Sequence, residues 1–230
     1  MLSFKDRLKE VTSRIAAAAC ACGRDPAEVG LVAVSKTKSV AQVEEAIVAG
    51  VTTLGENYVQ EAREKYEALC HHPVGWHFIG HLQSNKAKYV VRMFDLIHAI
   101  DSVKLALEVD RQAQKAAKRQ RILMQVNVSG ETSKYGLDPD SVISVLREIS
   151  TFEHIAIEGL MTMPPFFDAP DRARPYFKAL RKLRDRIRDE HMDNIKMDTL
   201  SMGMTGDYSA AIAEGATLVR IGTAIFGARS

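Results

Sequence analysis

Short apolar segments alternate with helical segments along the whole chain. Eight segments have the length and composition of β-strands: 31–36, 52–57, 76–80, 96–101, 121–127, 155–161, 199–204 and 217–222. Helical patterns lie near 39–49, 59–70, 83–91, 102–118, 138–150, 171–190 and 207–214. Eight strands with intervening helices predict an α/β fold, a (β/α)8 TIM barrel. An open doubly wound sheet is the alternative, but no G-x-G-x-x-G turn follows the first strand, where such a sheet binds a dinucleotide.

Capping residues support several of the predicted helices. Ser3-x-x-Asp6 marks the start of an extra N-terminal helix, and Gly23 marks its end. Ser39 and Ser102 are predicted N-caps, and in Asp138-Pro139 a capping residue is followed by proline at the first helical position. Pro175 is compatible with its helix only if that helix begins within the preceding turn.

Composition indicates an ordinary globular protein of one domain, 1–230. Of the 230 residues, 46% are hydrophobic and 26% are charged, and the net charge of +2 is too balanced to predict a nucleic-acid partner. The basic stretches 111–121 and 178–188 follow helical patterns and are interpreted as solvated faces. Three cysteines without a C-x-x-C pair favour a reducing compartment. No apolar run reaches the ~18 residues of a membrane span, so we expect a cytoplasmic protein with no membrane partner.

The last predicted strand carries a charge in its middle. Leu218, Arg220 and Gly222 share one face of this strand, because side chains alternate between faces. A buried arginine needs an anionic or acceptor partner. Gly222 and Thr223, which follow, offer backbone N–H groups and a hydroxyl, and such groups bind anions. The pattern predicts a phosphate site at the C-terminal end of a strand, where barrel enzymes place their chemistry.

The first predicted strand is apolar until it reaches Lys36, which shares a face with Val32 and Val34. An amine partly removed from water is neutral more often and can attack a carbonyl to form a Schiff base. One alternative is that Lys36 extends from the strand end into water. Another is that Lys38, two residues later in the loop, reacts instead.

A Schiff-base lysine and a phosphate site together suit pyridoxal 5′-phosphate, which carries an aldehyde and a phosphate on opposite sides of one ring. Ser201 can donate its hydroxyl to the phosphate, and Gly203 can present its backbone N–H group, as can Gly222 and Thr223. Arg220 could face either the phosphate or the ring nitrogen. An arginine at the ring nitrogen leaves that nitrogen unprotonated and the ring a weak electron sink.

Other polar residues give weaker signals. His77 and His81 are four residues apart and His71 and His72 are adjacent, but no carboxylate lies near the first pair in sequence, so no metal site is predicted. Glu56 ends a predicted strand and is either a carboxylate base or a cap for the following helix.

Seven motifs, in order along the chain, resemble those of the YggS/PROSC family of pyridoxal phosphate homeostasis proteins. They are Val32-Ala-Val-Ser-Lys36; Gly55-Glu-Asn-Tyr-Val-Gln-Glu61; Trp76-His-Phe-Ile-Gly80 with Leu82-Gln-Ser-Asn-Lys86; Asn127-Val with Ser133-Lys134-x-Gly136; Gly159-Leu-Met161; Leu200-Ser-Met-Gly-Met204; and Val219-Arg-Ile-Gly-Thr-Ala-Ile-Phe-Gly227. Many family members have serine where this chain has Thr205, which keeps the hydroxyl.

The resemblance implies a barrel of the alanine racemase N-terminal domain type that binds pyridoxal phosphate covalently on Lys36. It also implies phosphate contacts from Ser201, Gly222 and Thr223, and polar support from Asn57 and Arg220. The implied function is intracellular vitamin B6 homeostasis: the protein buffers the cofactor or delivers it to apo-enzymes, with no catalytic residues.

The alternative is a single-domain amino-acid racemase, which needs a base on each face of the substrate. Tyr58 is the best candidate for the second base. Two-domain racemases of this fold supply a tyrosine across a dimer from a C-terminal β-domain. We expect that domain to be absent here and the protein to be monomeric.

Overall fold

Eight parallel strands close into a barrel in a computed structural model that describes residues 2–132 and 134–227. Ser133 of the Ser133-Lys134 motif and the three C-terminal residues lie outside the described residues. The strands are β1 Gly30–Val34, β2 Thr53–Glu56, β3 Gly75–Phe78, β4 Leu96–Ile100, β5 Gln120–Gln125, β6 Ile155–Met161, β7 Ile195–Met204 and β8 Leu218–Ile221. Each strand pairs with the next along the chain, and β8 pairs with β1. The predicted (β/α)8 barrel is confirmed, and the open sheet is excluded.

Helices surround the barrel, and one extra helix precedes it. They are α1 Phe4–Ala21, α2 Val40–Val48, α3 Val59–Leu69, α4 Ala87–Met93, α5 Val103–Lys115, α6 Val142–Ile149, α7 Arg174–Asp189, α8 Tyr208–Ala213 and α9 Thr223–Phe226. Short 3₁₀ turns lie at Pro26–Glu28, Ser84–Lys86 and Pro170–Ala173. The extra helix α1 packs against the last elements of the barrel: Arg7 donates a hydrogen bond to the carbonyl of Ile225, and the Phe4 and Phe226 rings meet edge to face.

Helix caps explain several boundaries and correct one. Ser3 with Asp6, and Ser39 with Gln42, form reciprocal capping boxes, and the Ser102 hydroxyl accepts from the backbone of α5, as predicted. The predicted cap at Asp138-Pro139 is wrong. The Asp138 carboxylate accepts from the N–H of Asp140 instead, so it closes a local turn, and α6 begins only at Val142.

Other boundaries shift by a few residues. Strand β1 ends at Val34, so Lys36 lies in the following turn and not in the strand. Strand β7 begins four residues earlier than predicted, at Ile195. Pro175 is the second residue of α7, where a missing N–H costs nothing, because that helix starts directly after a 3₁₀ turn.

The barrel has an outer and an inner core. The outer core fills the space between strands and helices, with Phe78, Phe94 and Phe177 among its fully buried side chains. Inside the barrel, Leu96, Leu123 and Met161 form a separate apolar cluster on which Leu218 packs. A polar layer of His77, His98, Ser201 and Arg220 is also buried. Among the described helices, none has the length and apolar character needed to cross a bilayer.

Candidate functional site

Lys36 lies in a four-residue turn after β1, which we call the lysine turn (Ser35 to Lys38). The backbone N–H of Lys38 donates to the carbonyl of Ser35 at 3.1 Å, so Lys36 and Thr37 occupy the two central positions. Lys36 is half-buried. Ser35 is fully buried and pairs with β2 through a 3.0 Å bond from its N–H to the Gly55 carbonyl. The reactive candidate is therefore held against the barrel wall at the carboxyl end of the strands.

The loop after β8 lies beside the lysine turn, because Ala33 pairs with Ile221 across the two neighbouring strands. A Cβ atom on Gly222 would come within 3.3 Å of the Val34 carbonyl oxygen, so the two chains approach closely here. Thr223 is exposed and its hydroxyl lies 3.4 Å from that of Thr205, which follows β7. The exposed end of the site thus carries two hydroxyls.

Gly203 is required by the backbone. Its φ of +92° lies in the left-handed region, and a Cβ atom there would meet the Ala211 methyl at 2.6 Å. This conformation allows β7 to end against α8.

Arg220 is buried inside the barrel. Its guanidinium donates to the carbonyl and hydroxyl oxygens of Ser201 at 2.7 and 2.6 Å, and to the carbonyl of Thr162 at 2.9 Å. Burial lowers the pKa of Arg220 to about 10, an effect that nearby Asp207 partly offsets. The three partners are neutral acceptors and leave donor capacity on a group with five N–H bonds. A buried charge in this state is suited to an anionic or acceptor ligand.

Ser201 lies deeper than the exposed hydroxyls. It is fully buried, and its hydroxyl lies 2.9 Å from Nδ1 of His98, whose Nε2 lies 3.1 Å from Nδ1 of His77. Because the hydroxyl accepts from Arg220, its own proton can go to His98, whose Nε2–H then donates to His77. Desolvation lowers the pKa of His77 to about 4 and that of His98 well below the ordinary value, so both imidazoles are neutral.

Asn57 lines a cleft of about 460 Å³ at the same end of the barrel, together with Tyr58, His81, Tyr135 and Met163. Its side-chain Oδ1 is buried and has no hydrogen-bond partner among the described residues. A Cβ atom on Gly80 would lie 2.2 Å from the Asn57 carbonyl oxygen, so the two strand ends touch. An orphaned buried acceptor is costly and is explained by a missing donor such as a ligand or water.

Two buried polar residues of this region were not predicted from the sequence. His98 stands alone in the apolar strand Leu96–Ile100, which was the available hint for a polar interior. Lys65 lies in the middle of α3, yet it is buried and bonds Glu56 at 2.7 Å. Glu56 thereby lies on the outer side of the barrel wall, under α3, where it neither caps that helix nor reaches the cleft.

A separate surface group brings His71, His72 and Glu44 together, with ligand atoms within 4.8 Å of one another. The three side chains are exposed or half-exposed: Glu44 lies in the middle of α2, and the two histidines follow the end of α3. His77 lies 3.1 Å from His98 and, in the described part of the chain, belongs to no group of three potential metal ligands.

Comparison with known proteins places this geometry in context. Residues 8–230 match the family model of the alanine racemase N-terminal domain. The pyridoxal phosphate homeostasis protein of Pseudomonas aeruginosa is 43% identical over 229 residues, which cover 100% of this chain and 97% of the relative. The structure of PipY from Synechococcus elongatus with pyridoxal phosphate bound superposes with a TM-score of 0.87 at 34% identity, covering 97% of this chain and 100% of PipY.

Alanine racemase of Clostridium difficile shares the fold at 12% identity, with a TM-score of 0.71. That match covers 95% of this chain and 56% of the racemase chain.

Proposed function

The chain belongs to the family of pyridoxal phosphate homeostasis proteins, and on this premise we propose that it holds pyridoxal 5′-phosphate as a Schiff base on Lys36. The proposed role is to buffer the cofactor or deliver it, without robust catalysis. One observation carries the proposal: a buried arginine, whose hydrogen-bond acceptors among the described residues are all neutral, lies on β8 beside the strand that leads into the lysine turn. That the structure of a full-length relative contains pyridoxal phosphate gives independent support.

The residues present fit this cofactor. The bound cofactor would supply an aldehyde, and Lys36 would hold it covalently through its amine nitrogen, with the aldehyde oxygen lost as water. Gly222, Thr223 and the N–H of Gly203 are proposed to bind the phosphate, because they lie at the ends of β8 and β7 next to the lysine turn. Thr205, whose hydroxyl is near that of Thr223, would join them.

We assign Arg220 to the ring nitrogen, because it lies on β8 two residues deeper than Gly222. A cationic guanidinium that donates a hydrogen bond keeps that nitrogen unprotonated, which leaves the ring a weak electron sink and disfavours carbanion chemistry. Ser201 would orient Arg220 from within the barrel, since its hydroxyl and carbonyl are both bonded to the guanidinium. The orphaned Oδ1 of Asn57 would accept from a cofactor group or a water bound with it.

The racemase alternative needs a second base near Lys36. Tyr58 is exposed and lines the cleft beside Asn57, so it is accessible to a ligand. The relatives at about 40% identity are named for homeostasis, not racemisation. Exchange of the α-hydrogen of L-alanine with solvent deuterium, accompanied by inversion and lost in Tyr58→Phe, would establish the racemase; absence of exchange in the loaded protein supports the carrier.

Transfer to apo-enzymes, a monomeric state, a single domain and a cytoplasmic location belong to the same proposal. The three cysteines are free thiols in the structure, which suits a reducing compartment.

The decisive experiment is a visible absorbance scan after incubation with pyridoxal phosphate, then borohydride reduction and peptide mass mapping. We expect a yellow protein with phosphopyridoxyl on Lys36, and no stable adduct in Lys36→Ala. Lys38→Ala is the matched control, because Lys38 belongs to the same turn, and it should label as the wild type does. Label on Lys38 or Lys134 in Lys36→Ala would move the site, and an unlabelled wild-type protein would refute the proposal.

A further inference from the structure

We propose that Glu56, Glu61 and Lys65 form a clamp that positions Lys36 for its covalent bond to the cofactor. This inference rests on the proposed function above. None of the three is assigned a contact with the ligand. They act on the backbone immediately before and after Lys36, and so fix where its side chain leaves the barrel wall.

The lysine turn has a conformation that its sequence does not favour. Thr37, at the third position, has φ of +63°, in the left-handed region. Turns with positive φ at this position normally have glycine or asparagine there, and a β-branched residue in this region is an outlier. Such a conformation persists only where surrounding contacts determine it, and it is concentrated at functional sites.

The clamp supplies those contacts on both sides of Lys36. Before it, Lys65 Nζ donates to the Ser35 carbonyl at 2.7 Å, and the Ser35 hydroxyl donates to Glu56 Oε1 at 2.6 Å. After it, the Thr37 N–H donates to Glu61 Oε2 at 2.8 Å. Lys65 joins the two halves, because its ammonium is 2.7 Å from Glu56 and 3.7 Å from Glu61.

The burial of the Glu56–Lys65 ion pair favours a role in positioning Lys36 over a role in stabilising the fold. Glu56 is fully inaccessible and Lys65 is 3% exposed. Replacing a buried ion pair with apolar residues of similar size is often neutral or stabilising, so such a pair is weak evidence for a stabilising role. The second carboxylate oxygen, Glu56 Oε2, has no hydrogen-bond partner in the described part of the chain. Desolvation raises the pKa of Glu56, against the opposing effect of Lys65. The arrangement is thus poorly optimised for folding, yet it orders both neighbours of the reactive lysine.

Two variants test the clamp without creating an unpaired buried charge. Glu61→Ala removes the acceptor of the Thr37 N–H, with Glu64→Ala, an exposed residue one position from Lys65 on α3, as its matched control. The double variant Glu56→Gln with Lys65→Met removes both charges of the buried ion pair and the ammonium that donates to the Ser35 carbonyl. Three quantities are measured: hydrogen exchange of the Thr37 amide without ligand, the rate of borohydride-trappable adduct at Lys36, and Tm.

We expect Glu61→Ala to speed exchange of the Thr37 amide and to slow adduct formation about five- to tenfold, the factor of one ordinary hydrogen bond. The double variant should slow the adduct at least as much, and Glu64→Ala should match the wild type in both respects. If the three residues only stabilised the fold, the variants would have a lower Tm but would form the adduct at the wild-type rate at temperatures below unfolding. That result would overturn the proposed clamp. Absence of label in the wild-type protein would instead refute the proposed function, and the clamp with it.

Discussion

The two ends of the barrel carry arginines in opposite states of pairing. At the amino ends of the strands, a cavity of about 690 Å³ is lined by four arginines, each with a carboxylate within 3.1 Å: Arg24 with Glu28, Arg121 with Glu158, Arg184 with Asp185 and Arg188 with Asp198. At the carboxyl end, the hydrogen-bond acceptors of the buried Arg220 within residues 2–132 and 134–227 are all neutral oxygens. The clefts there are smaller, about 460 Å³ beside Asn57.

The difference teaches that the state of pairing of the arginines, and not cavity size, distinguishes the end of the barrel where we propose that the ligand binds. A surface arginine that already has a carboxylate partner binds a further anion only weakly. The reason is that an exposed ion pair contributes ~0–1 kcal/mol of free energy and is screened by salt. Unsatisfied groups in a buried site, such as Asn57 Oδ1, retain their full desolvation cost until a ligand arrives. The position of the proposed site agrees with the rule that barrels place chemistry at their carboxyl end.

The largest expected effect comes from removing one arginine at each end. We expect Arg220→Met to weaken pyridoxal phosphate binding about 10- to 100-fold, because a hydrogen bond to a charged group is worth ~1.5–3 kcal/mol, and to shift the visible absorbance of any adduct. Arg188→Met should leave affinity within about twofold of wild type, because its partner Asp198 is a surface residue. Equilibrium titration followed by absorbance measures both.

Urea unfolding of each variant without ligand controls for misfolding. A similar loss of affinity in Arg188→Met would show that the amino-end cavity takes part in binding and would end the contrast between the two ends.

The polar layer between the two ends predicts a pH dependence of stability. Burial, with a further contribution from Arg121, lowers the pKa of His77 to about 4 in the folded protein, whereas an unfolded histidine titrates near 6.5. The unfolded state therefore binds more protons between these values, and the folded state loses stability as pH falls through them. From pH 7 to pH 5 the free energy of unfolding should drop by about 2 kcal/mol from this residue, and His98 acts in the same direction.

Urea unfolding at pH 7 and pH 5 measures the effect. In His77→Gln, the drop in the free energy of unfolding between pH 7 and pH 5 should lose the part that comes from His77. The variant His71→Gln, at an exposed histidine, should show the same drop as the wild type. An unaltered pH dependence in His77→Gln would mean that the interior layer is not held neutral as described.

The barrel and most helix starts were predictable because they depend on local patterns. Strand parity alone put Leu218 and Arg220 on one face, and the structure places both inside the barrel. Serine caps at positions 39 and 102 predicted helix starts correctly. The Asp138 prediction failed because an Asx turn satisfied the same side chain four residues before the helix began.

The candidate site was predictable only in part, because long-range contacts set its details. Ser201 lies where the pairing of β7 with β8 shifts register, between Ser201 and Met204, and no local pattern encodes this shift. Lys65 donates to the carbonyl of Ser35, which is 30 residues away in sequence. Helical periodicity predicts that Lys65 belongs to α3 but does not predict this contact. The apolar run predicted a first strand that ends at Lys36, whereas β1 ends at Val34 because Ser35 begins the lysine turn.

The smallest expected effect compares two threonines that flank the same strand. Thr223 follows β8 at the carboxyl end with an exposed hydroxyl, whereas Thr217 precedes β8 at the amino end and its hydroxyl accepts from the N–H of Leu200 at 2.9 Å. Thr223→Val keeps the shape of the side chain and removes the hydroxyl that we propose donates to the phosphate, so we expect affinity for pyridoxal phosphate to fall about three- to tenfold. Affinity for pyridoxal, which lacks the phosphate, should not change.

Thr217→Val provides the opposite control, because it should lower the free energy of unfolding by about 1 kcal/mol while leaving both affinities intact. If Thr223→Val weakened pyridoxal and pyridoxal phosphate equally, the hydroxyl would be acting on the ring or on folding. The phosphate would then have to be held by backbone N–H groups of the Gly222 loop without it. A selective loss would assign the exposed end of β8 to the phosphate and leave the buried Arg220 for the ring.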